Sequence, residues 1–192
     1  MPGRSVRVVV LASGSGSTLQ ALLDAAADPD FGAVIVAAGT DVANCLAVQR
    51  AEAAGIPTFT VALPDHPDRG AWNEALAAAV ASYEPDLVVL AGFMRILAPS
   101  VVDRFRIVNT HPAMLPDFPG AHAIRDALAS GVDKTGVTVH WVDEGIDTGP
   151  IIAQAAVPIE AGDDEQSLRE RIQAVEKPLY VKAIQEICRE LP

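Results

Sequence analysis

Residues 6–19 read VRVVVLASGSGSTL, an apolar β-branched run, a Gly/Ser turn and the first residue of a helical stretch. The run is continuous rather than alternating, as in a strand covered by helices on both faces of a parallel sheet. In the turn, Ser13-Gly14-Ser15-Gly16-Ser17-Thr18, glycines let backbone approach a ligand, and the N–H groups that open a helix attract an anion. This is a phosphate-loop pattern. It is not a dinucleotide fingerprint, because Leu19 stands where the third Gly of GxGxxG belongs, and it has no Lys for a P-loop. Asp41, placed to take a ribose hydroxyl after a second strand, keeps a nucleotide reading open. The plain alternative is an ordinary Gly/Ser turn.

Outward from this stretch the β-α pattern repeats. A helix is expected over 19–27, a strand over 34–38, a helix over 44–54, a strand over 58–61, a helix over 69–83 and a strand over 87–90. Right-handed crossovers and a parallel sheet follow. After Gly92 come a short apolar turn at 93–97, a strand over 107–110, a Pro-rich loop at 112–120 long enough to suggest a function, and a helix near 124–129. Residues 137–142 alternate with period two, and a second strand over 151–159 completes a hairpin-like pair. The last helix begins at Asp163, with Gln166 three residues on as in a capping box; Leu168, Ile172, Val175 and Leu179 recur at helical spacing. Pro178 is expected to bend or interrupt it.

The 192 residues suit one domain, and 50% hydrophobic with only 5% aromatic residues suits small side chains packed between helices and sheet. Asp+Glu 25 against Lys+Arg 14 gives a formal charge of −11, a field that repels nucleic acid and anionic membranes and excludes both as partners. Small anions remain allowed, since a helix N-terminus acts locally. Cys45 and Cys188 form no CxxC and no Cys/His cluster, so they read as free thiols in a reducing compartment, with no metal. The N-terminal apolar run is far below the ~20 residues of a membrane span and lacks the features of a signal peptide, so a cytoplasmic location is expected.

A second candidate is Asn109-Thr110-His111-Pro112. Strand alternation puts Asn109 and His111 on one face while Pro112 ends pairing at the strand's carboxyl end, where ligands of open α/β sheets bind. An amide donor with a protonated imidazole would serve as an oxyanion site for acyl-type transfer, although a structural histidine fits the residues equally well. The acidic turn at 143–150 reads as a solvated connection. His66, His122 and His140 show no pairing in the sequence and default to solvent or packing roles.

Taken together, SGSGST at 13–18, AGFMRIL at 91–97, NTHPAMLPDFPGAHA at 109–123 and DEGIDTGPII at 143–152 resemble the 10-formyltetrahydrofolate-dependent formyltransferase family, over nearly the whole chain. The resemblance implies a single Rossmann-like α/β domain over 1–192, with a mostly parallel central sheet and helices on both faces. Its N-terminal half would bind a ribonucleotide phosphate, and its C-terminal half would bind folate and carry the chemistry. The opening loop is most similar to members acting in purine synthesis, which implies transfer of the formyl group from 10-formyltetrahydrofolate to the amine of glycinamide ribonucleotide. Asn109, His111 and Asp147 match the catalytic positions; Gly16, Ser17 and Thr18 match phosphate-binding positions and Glu176 a ribose contact. Arg69, Met94, Arg95, Ile96, Leu97, Asn109 and Val142 match folate positions. Folate is thereby a co-substrate and no tightly bound cofactor is implied; a homodimer is left open.

Thr18 stands where the family commonly has Asn, Met114 replaces the first Leu of an LLP run, and the chain stops soon after its last helix, which leaves any contact built from that region in doubt. The rivals are formyltetrahydrofolate hydrolase, expected to carry an added N-terminal domain, and a non-catalytic phosphate sensor, which leaves Asn109, His111 and Asp147 without a role. Methionyl-tRNA formyltransferase would call for a further C-terminal domain and a basic surface.

Overall fold

The computed structural model describes residues 4–191. The chain folds as β1 (Val6–Leu11), α1 (Ser17–Ala26), β2 (Ala33–Thr40), α2 (Leu46–Ala53), β3 (Thr58–Thr60), α3 (Arg69–Ala81), β4 (Leu87–Leu90), α4 (Pro99–Val102), β5 (Ile107–His111), α5 (Ala123–Ser130), β6 (Lys134–Trp141), β7 (Ile151–Pro158) and α6 (Glu165–Glu190). The strands are ordered β3-β2-β1-β4-β5-β6-β7. The chain packs as two compact units, one of Met1–Val108 with Ile184–Pro192 and one of Asn109–Ala183.

In the first unit β1 pairs in parallel with β2 and β4, and β2 with β3. The chain thus winds to one side of β1 through β2 and β3, then returns to β4 on the other side. Such a reversal opens a crevice at the carboxyl ends of the strands, between β1 and β4. Every residue of β1 except Arg7 is buried, as are all four of β4, which is why these strands read as continuous apolar runs with legible bounds. Trp72 and Leu76 of α3 pack into the same core, and Trp72 donates its indole N–H to the Val61 carbonyl at 2.8 Å.

In the second unit β6 and β7 pair antiparallel, as the hairpin reading expects. Ile124, Val137, Val157, Leu168 and Ile172 form its core. The period-two pattern of β6 does not separate a dry face from a wet one: residues 135–140 are all buried, the polar ones included. Thr138 Oγ1 donates to the Ala113 carbonyl and accepts from the Leu115 N–H, while Gln154 Nε2 donates to the Leu115 carbonyl at 2.9 Å. Those bonds pin the Pro-rich loop.

Two expectations about α6 need correction. Its capping box lies one residue later than Asp163/Gln166: Asp164 Oδ1 accepts from the Ser167 N–H and Ser167 Oγ accepts from the Asp164 N–H. Asp163 is instead held by Arg171, whose guanidinium keeps that carboxyl well below the usual carboxylate range. Pro178 lies inside the helix, and of the expected bend or interruption the interruption does not occur. Leu168, Ile172 and Tyr180, each buried and worth roughly 1.5–3 kcal/mol, outweigh the ~3 kcal/mol that an interior proline costs.

Candidate active site

In the first unit, strand β1 delivers Ser13–Gly16 to α1. Gly16 caps that helix at φ 67, a left-handed conformation that favours glycine, and no side chain caps it. A Cβ at Gly16 would lie 2.6 Å from the Ala47 Cα, so the loop and α2 touch backbone to backbone there. Arg50 of α2 braces the loop through a 2.8 Å bond from Nε to the Ser15 carbonyl. Ser17 is half-buried and Thr18 buried. A Gly/Ser turn that opens a helix is the kind of place where backbone N–H groups can meet an anion.

The carboxyl end of β4 feeds the second part of this region. Ser13 N–H donates to the Gly92 carbonyl at 3.1 Å and the Met94 N–H donates to Ser13 Oγ at 2.9 Å, which joins the phosphate-type loop to the 92–97 segment at the switch point. Met94 and Ile96 are 75% and 62% exposed, an unusual display of large apolar side chains, while Leu97 is buried. Arg69 Nη2 donates to the Ile96 carbonyl at 2.6 Å and its guanidinium sits over the Trp72 ring, which fixes the strip's backbone. Arg95 turns its Nε to Asp41 at 2.5 Å. Asp41 does not offer itself to a ribose: both carboxylate oxygens are occupied, by Ser13 Oγ and by Arg95.

In the second unit β5 places Asn109 and His111 on one face, with Pro112 ending the strand as expected. His111 is buried, and its two ring nitrogens both face acceptors, Nε2 the Phe118 carbonyl at 2.8 Å and Nδ1 the Asp147 Oδ2 at 3.2 Å. A doubly protonated ring satisfies both. Asp147 also accepts the Gly120 N–H at 2.8 Å. Burial pushes the Asp147 carboxyl up, but hydrogen bonds from His140 and the Gly120 N–H, with the charges of His111 and His140, outweigh it and leave the group below its ordinary value of 3.8. Phe118 and Asp147, the two partners of His111, both hold left-handed backbone, at φ 53 and φ 55. Two non-glycine residues in that conformation thus flank one imidazole.

His140, expected to be a packing residue, belongs to this cluster. It is 2% exposed, its Nδ1 faces the Trp141 carbonyl at 2.9 Å, and its Nε2 meets Asn109 Nδ2 at 3.3 Å and Asp147 Oδ1 at 3.5 Å. When the ring carries its proton on Nδ1 alone, Nε2 accepts from the Asn109 amide, fixes its NH₂ end and leaves the second N–H for a ligand; when Nε2 is protonated as well, it donates to Asp147 instead. Thr138 and Gln154, also unsuspected in the sequence, hold the loop that follows His111. The signal available was the polar half of the β6 alternation. The acidic turn is likewise no mere connection, since it carries Asp147. Val142, in the turn after β6, and Glu176, on α6, are half-buried in this unit.

A family profile described as formyl transferase matches residues 6–184. The chain is 56% identical over 185 residues to a phosphoribosylglycinamide formyltransferase of Mycobacterium tuberculosis, covering 95% of this chain and 85% of that protein. It is 41% identical over 177 residues to the protein of that name from Escherichia coli K12, covering 91% and 84%. The crystal structure of glycinamide ribonucleotide transformylase 1 from Symbiobacterium toebii superposes with a TM-score of 0.95 at 41% identity, covering 98% of this chain and 90% of that one.

Proposed function

The chain belongs to the formyl transferase family, and on that premise we propose that it transfers the formyl group of 10-formyltetrahydrofolate to the amine of glycinamide ribonucleotide, giving formylglycinamide ribonucleotide and tetrahydrofolate in purine synthesis. The relatives that carry this activity in their names match it along nearly the whole chain. The observation that carries the reading is the cluster of Asn109, His111, His140 and Asp147, where one carboxylate holds two imidazoles and an amide donor is aimed by one of them.

The amine nitrogen forms a bond to the formyl carbon, whose oxygen becomes an oxyanion met by an Asn109 N–H and an N–H of protonated His111. Collapse breaks the bond from that carbon to folate N10. His111 gives N10 a proton as it leaves, exchanging its Phe118 contact for the substrate, and the proton released by the amine restores His111. Asp147, ionised at neutral pH, accepts from the His111 Nδ1–H and fixes the orientation of the ring.

Gly16, Ser17 and Thr18 are assigned to the ribonucleotide phosphate and Glu176 to its ribose; Arg69, Met94, Arg95, Ile96, Leu97, Asn109 and Val142 are assigned to folate. We assign no tightly bound cofactor, no nucleic-acid or membrane partner, and a cytoplasmic location. No helix among the described residues is long and apolar enough to cross a membrane. Chromatographic product analysis after mixing the protein with 10-formyltetrahydrofolate, with and without glycinamide ribonucleotide, tests the proposal. Formylglycinamide ribonucleotide must appear, and tetrahydrofolate must form only when the acceptor is present; release of formate without acceptor would replace transfer by hydrolysis.

A further inference from the structure

Asp41 follows β2 directly, Ser13 follows β1 and Arg95 follows β4, so one buried carboxylate gathers the carboxyl ends of three adjacent strands. Its side chain is 1% exposed. Oδ1 accepts the Ser13 hydroxyl and Oδ2 the Arg95 Nε–H, each at 2.5 Å, and the Ser13 hydroxyl in turn accepts the Met94 N–H. Both carboxylate oxygens of Asp41 and the Ser13 hydroxyl thus have partners. A carboxylate so enclosed cannot itself reach a ligand, and removing Arg95 alone leaves its charge buried and uncompensated, which is strongly destabilising. Its neighbours do reach outward: Ser13 opens the Gly/Ser loop, while Arg95 is 36% exposed and lies between the exposed Met94 and Ile96.

We propose that Asp41 is a positioning residue that couples the two ligand sites of the first unit, so that ordering the Gly/Ser loop around a phosphate also orders the 94–97 strip for a pterin, and conversely. This rests on the assignment of ribonucleotide to the loop and folate to the strip. The coupling needs no movement of Asp41: a ligand that fixes Ser13 removes freedom from Met94 and Arg95 through shared hydrogen bonds, and the second ligand then orders less. Thermodynamic linkage makes the effect reciprocal, equal in factor whichever ligand binds first.

Titration calorimetry with glycinamide ribonucleotide and tetrahydrofolate, each alone and each in the presence of the other, reads the coupling without turnover, because tetrahydrofolate carries no formyl group. In the wild type each ligand should tighten the other about fivefold or more, the lower end of typical coupling factors. Asp41→Asn, which keeps the shape and removes the charge, should bring that factor to about one, and so should Ser13→Ala and Arg95→Met. In the Asp41→Asn/Arg95→Met double variant the loss should not exceed that of either single variant, since both break one network. Ser13→Ala keeps the test decisive if Asp41→Asn fails to fold, because Arg95 still compensates the carboxylate there; any direct loss of ribonucleotide contact lowers affinity but leaves the ratio intact. A folded variant that retains the wild-type factor overturns the proposal, as does a wild type without cooperativity. A wild type that binds neither ligand overturns the assignment of ligands instead.

Discussion

Two regions of this molecule each centre on one shielded carboxylate, and they differ in what faces it. Asp41 meets a hydroxyl and a guanidinium, partners that do not change protonation near neutral pH. Asp147 meets two imidazoles, the side chain whose ordinary titration falls in that range. The first arrangement can fix backbone and cannot move a proton. The second holds its groups by the same kinds of bond, yet its imidazoles can change state, and two of the residues around His111, Phe118 and Asp147, hold left-handed backbone. Geometry is assigned to the one and chemistry to the other, and substitutions should separate the two behaviours.

The largest separation should come from His111→Ala, which removes the group that both meets the oxyanion and supplies the proton. Positioned acid–base groups contribute roughly 10²–10⁴-fold and oxyanion donors on the order of 10²–10³-fold. Steady-state kcat should fall within that span while a thermal melt stays cooperative. Near-wild-type turnover would remove the catalytic role from this cluster altogether.

Within the first region, two glycines in unlike surroundings sharpen the contrast. Gly16→Val forces a side chain into left-handed backbone and against the Ala47 Cα, so it should unfold the loop and lower the melting temperature, a strain cost of order 1–3 kcal/mol before the clash is counted. Gly14 has nothing within 4 Å of where a Cβ would stand. Gly14→Ala should therefore keep stability within about 0.5 kcal/mol and weaken ribonucleotide binding while tetrahydrofolate binding stays. Equal losses of both ligands in the Gly14 variant would mean that the loop serves the fold alone.

A smaller effect is expected at His140, which touches Asn109 rather than the reacting atoms. His140→Ala costs the amide one hydrogen bond, worth about 1 kcal/mol, so turnover should fall by roughly five- to tenfold. Combining it with Asn109→Ala should add little, because both remove one aimed donor. Full additivity in that pair would show that His140 acts elsewhere, through Asp147.

His140 also shows where reading the sequence stops. Strands β1 and β4 were legible to the residue because burial on both faces leaves an unbroken apolar run, and Asn109 with His111 was legible because period two and a terminating proline are local facts. His140 draws its meaning from Asn109, 31 positions earlier, and no local pattern carries that pairing. Asp147 entered through family resemblance alone, since its acidic Gly/Pro-rich surroundings read as a solvated turn. The cap of α6 slipped by one residue because Asp163 and Asp164 are equally good caps locally, and Arg171 decides between them by claiming Asp163. The interruption allowed for at Pro178 was overruled by burial of the helix around it.

The smallest expected effect concerns acid pH and distinguishes the two carboxylate environments without reference to catalysis. Asp147 is held below its ordinary 3.8, so the folded state binds its proton less readily than the unfolded chain does. A group with a depressed folded value contributes stability that is present above the unfolded value and is lost as pH falls through the folded one, below 3.8. Melting temperature followed from about pH 6 down to about pH 2 should therefore show a wild-type advantage over Asp147→Asn that holds through the upper part of that range and shrinks only below the ordinary carboxylate value. The His140 bond and the Gly120 N–H are the main groups that lower it, so His140→Ala should start the decline at higher pH. A difference between wild type and Asp147→Asn that is the same at every pH would mean that the carboxylate's charge does not contribute to folding, and that its bonds to Gly120 and the imidazoles stabilise the native state no more than a neutral amide would.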